Sequence, residues 1–186
     1  MEVKNVSFSY GDRQILNGLS LSLSGGRRVA VMGESGRGKT TLLKLLLGLI
    51  EPSSGTVERD PSEKPAVVFQ EDRLLPWFSA GKNVALSAAK DVSVKELFDD
   101  MELSDSMDKL PKELSGGMQR RTAIARAIAF SGDPLLLDEP FKGLDPDMRE
   151  RIAKKILSRA KNASILLITH DEHEAELLEC DEIIRL

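Results

Sequence analysis

Gly33-Glu34-Ser35-Gly36-Arg37-Gly38-Lys39-Thr40 is the stretch that decides the fold. It fits the pattern GxxxxGK[ST] at every fixed position, and its flanks suit it. Val29–Met32 is an apolar run that leads in as a strand, and Thr41–Leu47 leads out as a helix. The glycines let the backbone curl so that successive N–H groups face an anion. The helix start adds its unpaired N–H groups and the positive end of its dipole. Lys39 can then reach the terminal phosphates, and the Thr40 hydroxyl can ligate Mg²⁺. A glycine-rich turn that binds nothing has no need of a strand before it and a helix after it. The reading is a nucleoside triphosphate site.

Three later runs share the character of Val29–Met32: Ala66–Phe69, Leu135–Leu137 and Ile165–Ile168. None alternates with polar residues, which marks central strands covered on both faces. Helical stretches separate them, so the core is α/β with a mainly parallel sheet. Val3–Tyr10 and Leu19–Leu23 do alternate and read as strands, with Gly11-Asp12 as a turn. Ile183–Leu186 reads as a final strand. Glu51–Pro65 holds three prolines and several charges, and is expected to be loop. Asp72–Glu113 is polar, shows no strand, and is clearest as helix at Val94–Phe98. The expected organisation is one domain, with residues 1–71 and 132–186 as the α/β core and 72–131 as an inserted helical subdomain.

Composition narrows the class. The chain has 186 residues, 41% hydrophobic and 30% charged, with a net charge of −4. That length suits one domain with a real core. The acidic balance gives no reason to expect nucleic acid. No apolar stretch approaches a membrane span, and Met1–Asn5 lacks a signal core. Cys180 is the only cysteine, which excludes an internal disulfide and suits a reducing compartment. It reads as a small buried apolar side chain.

Leu135–Leu137 runs into Asp138-Glu139-Pro140. In open α/β sheets ligands sit beyond the carboxyl ends of strands. Asp138 is therefore placed to hold Mg²⁺, and Glu139 to orient or deprotonate an attacking water. Leu114-Ser115-Gly116-Gly117-Met118-Gln119-Arg120 opens a later helix. Ser115 suits an N-cap, and Gly116 and Gly117 leave the backbone N–H groups unobstructed, which makes a second anion-ready helix start. Asp145-Pro146 opens another helix, with Met148, Ile152, Ile156 and Ala160 on its apolar face.

Taken together, the phosphate loop, the Leu-Ser-Gly-Gly stretch and the Asp-Glu strand resemble the ATP-binding cassette (ABC) ATPases of the P-loop NTPase fold. The resemblance covers nearly the whole chain. It implies an α/β P-loop NTPase with a mainly parallel central sheet, a reduced antiparallel β part and the inserted helical subdomain. It also implies ATP and Mg²⁺ as cofactors. The implied phosphate-binding set is Gly33, Ser35, Gly36, Arg37, Gly38, Lys39, Thr40 and Thr41. Tyr10 matches the aromatic that stacks on adenine, although a plain sheet-edge aromatic is the other reading. Gln70 matches the glutamine that senses Mg²⁺ and water, so Thr40, Gln70 and Asp138 form the implied metal set. His170 matches the histidine that contacts the γ-phosphate, and joins Glu139, Gln70 and Lys39 as the implied catalytic set. Gly143-Leu144-Asp145 matches the loop that crosses to the opposite subunit, with capping as the alternative for Asp145. His173 matches no family position and is expected to be solvated.

The implied mechanism pairs two such domains head to tail. Ser115, Gly116 and Gly117 of each would then act on the other's ATP. Gln70–Trp77 looks like the corresponding stretch of import ATPases of the nitrate, sulfonate and taurine type. That implies integral membrane permease chains as partners and a cytoplasmic place, peripheral on the inner face of the cell membrane. Trp77 would suit a contact with the permease, or would be core of the helical subdomain. A soluble ABC ATPase acting on nucleic acid or ribosomes is the alternative; such chains usually carry two cassettes or a long coiled-coil insert. A metabolic kinase or GTPase fails to explain Leu114–Gln119 or His170. Gly48–Val67 is shorter than usual in the family, and Met118 stands where glutamine is commonest.

Overall fold

Leu135, Leu136 and Leu137 divide between two cores, and that division organises the molecule. Leu135 and Leu137 join one buried apolar cluster, and Leu136 joins another. The same split runs along Val29–Ala30–Val31 and along Ile165–Ile168. Successive strand side chains point to opposite faces. Strands buried on both faces therefore need apolar residues at every position, which explains the unbroken runs. Each fully buried Leu or Ile contributes about 1.5–3 kcal/mol.

The structure is a computed structural model and describes residues 1–34 and 36–186. Among these, a five-stranded sheet has the order β5 (Ala66–Val68), β6 (Leu135–Asp138), β7 (Ile165–Thr169), β3 (Arg28–Met32) and β8 (Glu182–Arg185). All its pairings are parallel, with Asp138 opposite Ile168 and Met32 opposite Thr169. This register brings the carboxyl ends of β3, β6 and β7 to one rim.

One face carries α1 (Lys39–Leu46) and a second, antiparallel sheet of order β2 (Arg13–Ser22), β1 (Glu2–Tyr10) and β4 (Ser54–Glu58). Tyr10 pairs with Arg13 around the Gly11-Asp12 turn, so β2 begins six residues before the alternation at Leu19 reveals it. The expectation that Glu51–Pro65 is loop is corrected, because β4 lies within it and pairs with β1. β4 is an exposed edge strand with only Val57 partly buried among its side chains, so it has no apolar pattern to read. Just beyond it, the Arg59 guanidinium donates to the Leu45 and Leu46 carbonyls, closing the C-terminal end of α1.

The other face carries α2 (Ala80–Ala85), α3 (Val94–Asp100), α4 (Gly116–Phe130) and α5 (Pro146–Arg159). Buried side chains from 72–131, such as Val84, Phe98 and Ile124, share a single cluster with Leu135, Leu137 and Ile165 of the sheet. Lys155 and Arg159 of α5 bond Asp100 at the end of α3. α6 (Glu172–Leu177) leads into β8.

Candidate active site

α1 begins with no side-chain cap and no acidic residue in its first turn. Its first N–H groups are thus left for an external anion. Gly38 stands at the N-cap with φ of 102°, a left-handed conformation. A Cβ there would meet the Ile15 side chain at 2.8 Å, so both the backbone and the space demand glycine. The Lys39 ammonium curls into the loop and donates to the Gly33 carbonyl at 2.5 Å and the Glu34 carbonyl at 3.0 Å.

A cleft of about 710 Å³ opens above this helix start. Its walls join five of the segments singled out in the sequence: Tyr10; Gly36, Gly38, Lys39, Thr40 and Thr41; Gln70; Asp138 and Glu139; and His170. Arg37 is exposed on the neighbouring surface, and Gly33 packs against the Leu186 backbone. Ser35 lies outside the described residues. Tyr10 is 50% exposed at the cleft wall and forms a T-shaped pair with Phe8, ring centroids 4.8 Å apart.

Asp138 and Glu139 differ sharply in setting. Asp138 is 4% exposed, at the end of β6. Its carboxyl is held above the usual range, first because burial penalises the ion and then because Glu139 repels it; Arg120, Lys39 and the Gln70 N–H pull the other way. Glu139 takes φ of 47°, in the left-handed region, and its Oε1 lies 3.4 Å from Nδ1 of the exposed His170. These two residues, each just past the end of one of the adjacent parallel strands β6 and β7, form the one direct side-chain meeting among the four described residues of the expected catalytic set.

The raised value at Asp138 has a stability consequence. The folded state favours the protonated form, so ionisation weighs against the nucleotide-free fold above the raised value and not below the ordinary carboxylate range. Asp138→Asn is therefore expected to melt above the parent chain at neutral pH and to lose that advantage as the pH falls. A variant that melts lower at every pH would refute the unbalanced charge.

Ser115, Gly116 and Gly117 do not join this cleft. They open α4, with Ser115 Oγ accepting from the Met118 N–H at 3.3 Å. Ser115 and Gly116 are exposed, and a Cβ on Gly116 would meet nothing within 4 Å. Asp145 caps α5 through Met148 N–H at 2.9 Å. His173 is exposed, as expected, beside Glu176. Cys180 is half-buried against the larger cluster, and burial pushes its thiol up to about 11, which suits an inert apolar role.

Trp77 is 69% exposed, which removes the core reading. The buried Asn83 accepts from Leu75 N–H at 2.7 Å and donates to the carbonyls of Leu75, Phe78 and Ser79, fixing the turn that turns Trp77 outward. Arg120 has a setting that is not legible in the stretch Leu114–Arg120. It is buried and bonds the backbone behind Glu139 and Gln70. A lone arginine in a polar helix start carries no signal of such a role.

The model of the family described as ABC transporter matches residues 16–142. The chain belongs to the ABC transporter family. The aliphatic sulfonates import ATP-binding protein SsuB of Granulibacter bethesdensis is 43% identical over 192 residues, which cover 100% of this chain and 79% of that protein. An SsuB 1 of Agrobacterium fabrum is 39% identical, covering 97% of this chain and 68% of its own. The dimeric post-hydrolysis state of the ATP-binding cassette MJ0796, bound to ADP and Pi, superposes with a TM-score of 0.83 at 29% identity, covering 100% of this chain and 93% of that one. The chain is accordingly an ATP-binding, ATP-hydrolysing subunit of a membrane ABC transporter. Among its described residues no helix is long and apolar enough to cross a membrane.

Proposed function

We propose that this ABC subunit works as half of a head-to-tail pair that clamps two Mg²⁺–ATP molecules, drives a separate permease, and imports an aliphatic sulfonate. One observation carries the reading. Besides the uncapped start of α1 within the cleft beside Asp138 and Glu139, the chain presents a glycine-bearing start of α4 that Ser115 caps and that is exposed at Ser115 and Gly116. A single nucleotide uses the first. The second is left for the nucleotide of a partner, and the dimeric state of the related cassette supports that arrangement.

In this reading the phosphates lie across the N–H groups of Gly36–Thr41, and Lys39 exchanges its loop carbonyls for phosphate oxygens. The adenine stacks on the exposed Tyr10 ring. Tyr10→Ala is expected to lose about 1–3 kcal/mol, roughly 5- to 150-fold in ATP affinity, with Tyr10→Phe close to normal. Equal affinities in a nucleotide titration would leave Tyr10 as a sheet-edge aromatic only.

The residues present suit Mg²⁺. Asp138 is a buried carboxylate with unbalanced negative charge, and Thr40 and Gln70 border the same cleft. Among the described residues no cluster of three or more His, Cys, Asp or Glu forms a cage. That fits a cation held by one carboxylate, a hydroxyl, an amide and the phosphates themselves. When bound, Mg²⁺ would offset charge on the transferring phosphoryl group. Glu139 takes the proton of the attacking water, and His170, beside it, orients the γ-phosphate. Closing the pair excludes water and strengthens each charge contact.

Trp77 and Leu86, both exposed apolar side chains, are assigned to the permease contact. Such contact would place the chain on the cytoplasmic face of the membrane. The test is isolation of the native complex together with uptake of an alkanesulfonate. Co-purification of an integral membrane protein and ATP-dependent uptake support the reading. Recovery of ribosomes or nucleic acid instead would favour a soluble ABC ATPase.

A further inference from the structure

Arg120 is 2% exposed, and each of its guanidinium N–H groups has an acceptor. Nε donates to the Pro140 carbonyl at 3.0 Å. Nη1 donates to the Phe69 carbonyl at 2.6 Å and to Asp72 Oδ1 at 2.9 Å. Nη2 donates to the carbonyls of Asp138 at 2.5 Å and Glu139 at 2.6 Å. One side chain thus ties three separate segments: the residues flanking Gln70, the Asp138–Pro140 turn, and α4, whose first residue Gly116 lies one turn before it.

The Glu139 backbone makes this clasp informative. Its φ of 47° is a conformation that a non-glycine residue adopts at a cost and holds only where its surroundings impose it. The impositions are visible. Its N–H donates to the Ile168 carbonyl at 2.8 Å, and its carbonyl accepts from Arg120. The direction of the Glu139 side chain, and its approach to His170, follow from that backbone.

We propose that Arg120 is a positioning residue that locks the Glu139 turn and the Gln70 segment to the start of α4, so that a partner's nucleotide seated on Ser115–Gly117 is felt at Glu139 of the same chain. The inference rests on the paired-ATPase reading above. A guanidinium suits the task because its planar fork reaches separate acceptors in fixed directions, whereas an ammonium is a point charge with three donors. Lysine would keep the charge and lose the clasp.

The test uses the full chain with Mg²⁺–ATP, comparing steady-state turnover with equilibrium nucleotide binding. Arg120→Lys is expected to lower kcat about 10- to 100-fold, as misplacement of a catalytic group does. Its KM and ATP affinity should stay within about twofold, and its Hill coefficient should fall toward one. Parental kcat and cooperativity in the folded variant would overturn the proposal. So would equal losses of kcat and ATP affinity, the mark of a merely structural role. Should the variant fail to fold, Asp72→Asn keeps Arg120 and its carbonyl acceptors and is expected to lower kcat about 2- to 5-fold at unchanged KM. Unchanged kcat there would equally overturn it. A parent chain that hydrolyses no ATP would refute the ATPase reading itself, a distinct result.

Discussion

Glu139→Gln is expected to bind ATP with parental affinity, to hydrolyse it about 10²–10⁴-fold more slowly, and to accumulate as an ATP-bound dimer. The substitution keeps the size and shape of the side chain, and the left-handed backbone at Glu139 is held by main-chain bonds that an amide leaves intact. What it removes is the carboxylate beside His170, the group assigned to accept the proton of water. Binding is assigned to the Gly33–Thr41 loop and Tyr10, which the change does not touch. Removing the negative charge should also ease closure of the pair on a triphosphate. Sedimentation with Mg²⁺–ATP would show the dimer, and phosphate release would show the slow turnover. Parental turnover in this variant would remove Glu139 from the chemistry. A slow variant that stays monomeric at high ATP would instead undo the paired arrangement.

Lys39→Ala should differ in binding, with weaker affinity as well as little hydrolysis at any accessible ATP concentration. The ammonium is the cation that lies within the loop, bonded to the Gly33 and Glu34 carbonyls. In the proposed bound state a charge-assisted hydrogen bond to phosphate replaces those bonds. Loss of such a bond costs about 1.5–3 kcal/mol, or roughly 10- to 150-fold in affinity. The helix start and the glycine backbone remain, so binding is weakened rather than abolished. Unchanged ATP affinity by titration calorimetry would count against the loop as the phosphate site. Comparing the two variants separates binding from chemistry, since one should keep affinity and lose turnover while the other loses both.

Much of the architecture was legible because local chemistry and burial agree. Val29–Met32, Leu135–Leu137 and Ile165–Ile168 could be read as central strands because a strand covered on both faces has no tolerance for polar residues. The loop from Gly33 to Thr40 was legible because few residue types permit a left-handed turn against Ile15 and a free helix start. Ser115 and Asp145 announced their helices through the caps they make. Where burial is slight, the signal vanished. β4 presents an exposed edge, and the prolines and most of the charges that read as loop flank Ser54–Glu58 on either side. Trp77 was undecidable in the sequence because its exposure depends on Asn83 folding the turn before it.

The amino-acid order alone therefore determined the nucleotide-binding loop, the strands of the parallel sheet and the family, all properties of contiguous residues in their own local setting. The tertiary structure alone decided that Glu139 meets His170, that Ser115–Gly117 stand apart from the cleft, and that Arg120 clasps residues some fifty positions earlier and twenty positions later. Such meetings depend on parallel strand register and on the packing of α4 against the sheet. Neither is encoded by any short stretch, because the groups that converge at the rim are separated by whole helices in the chain.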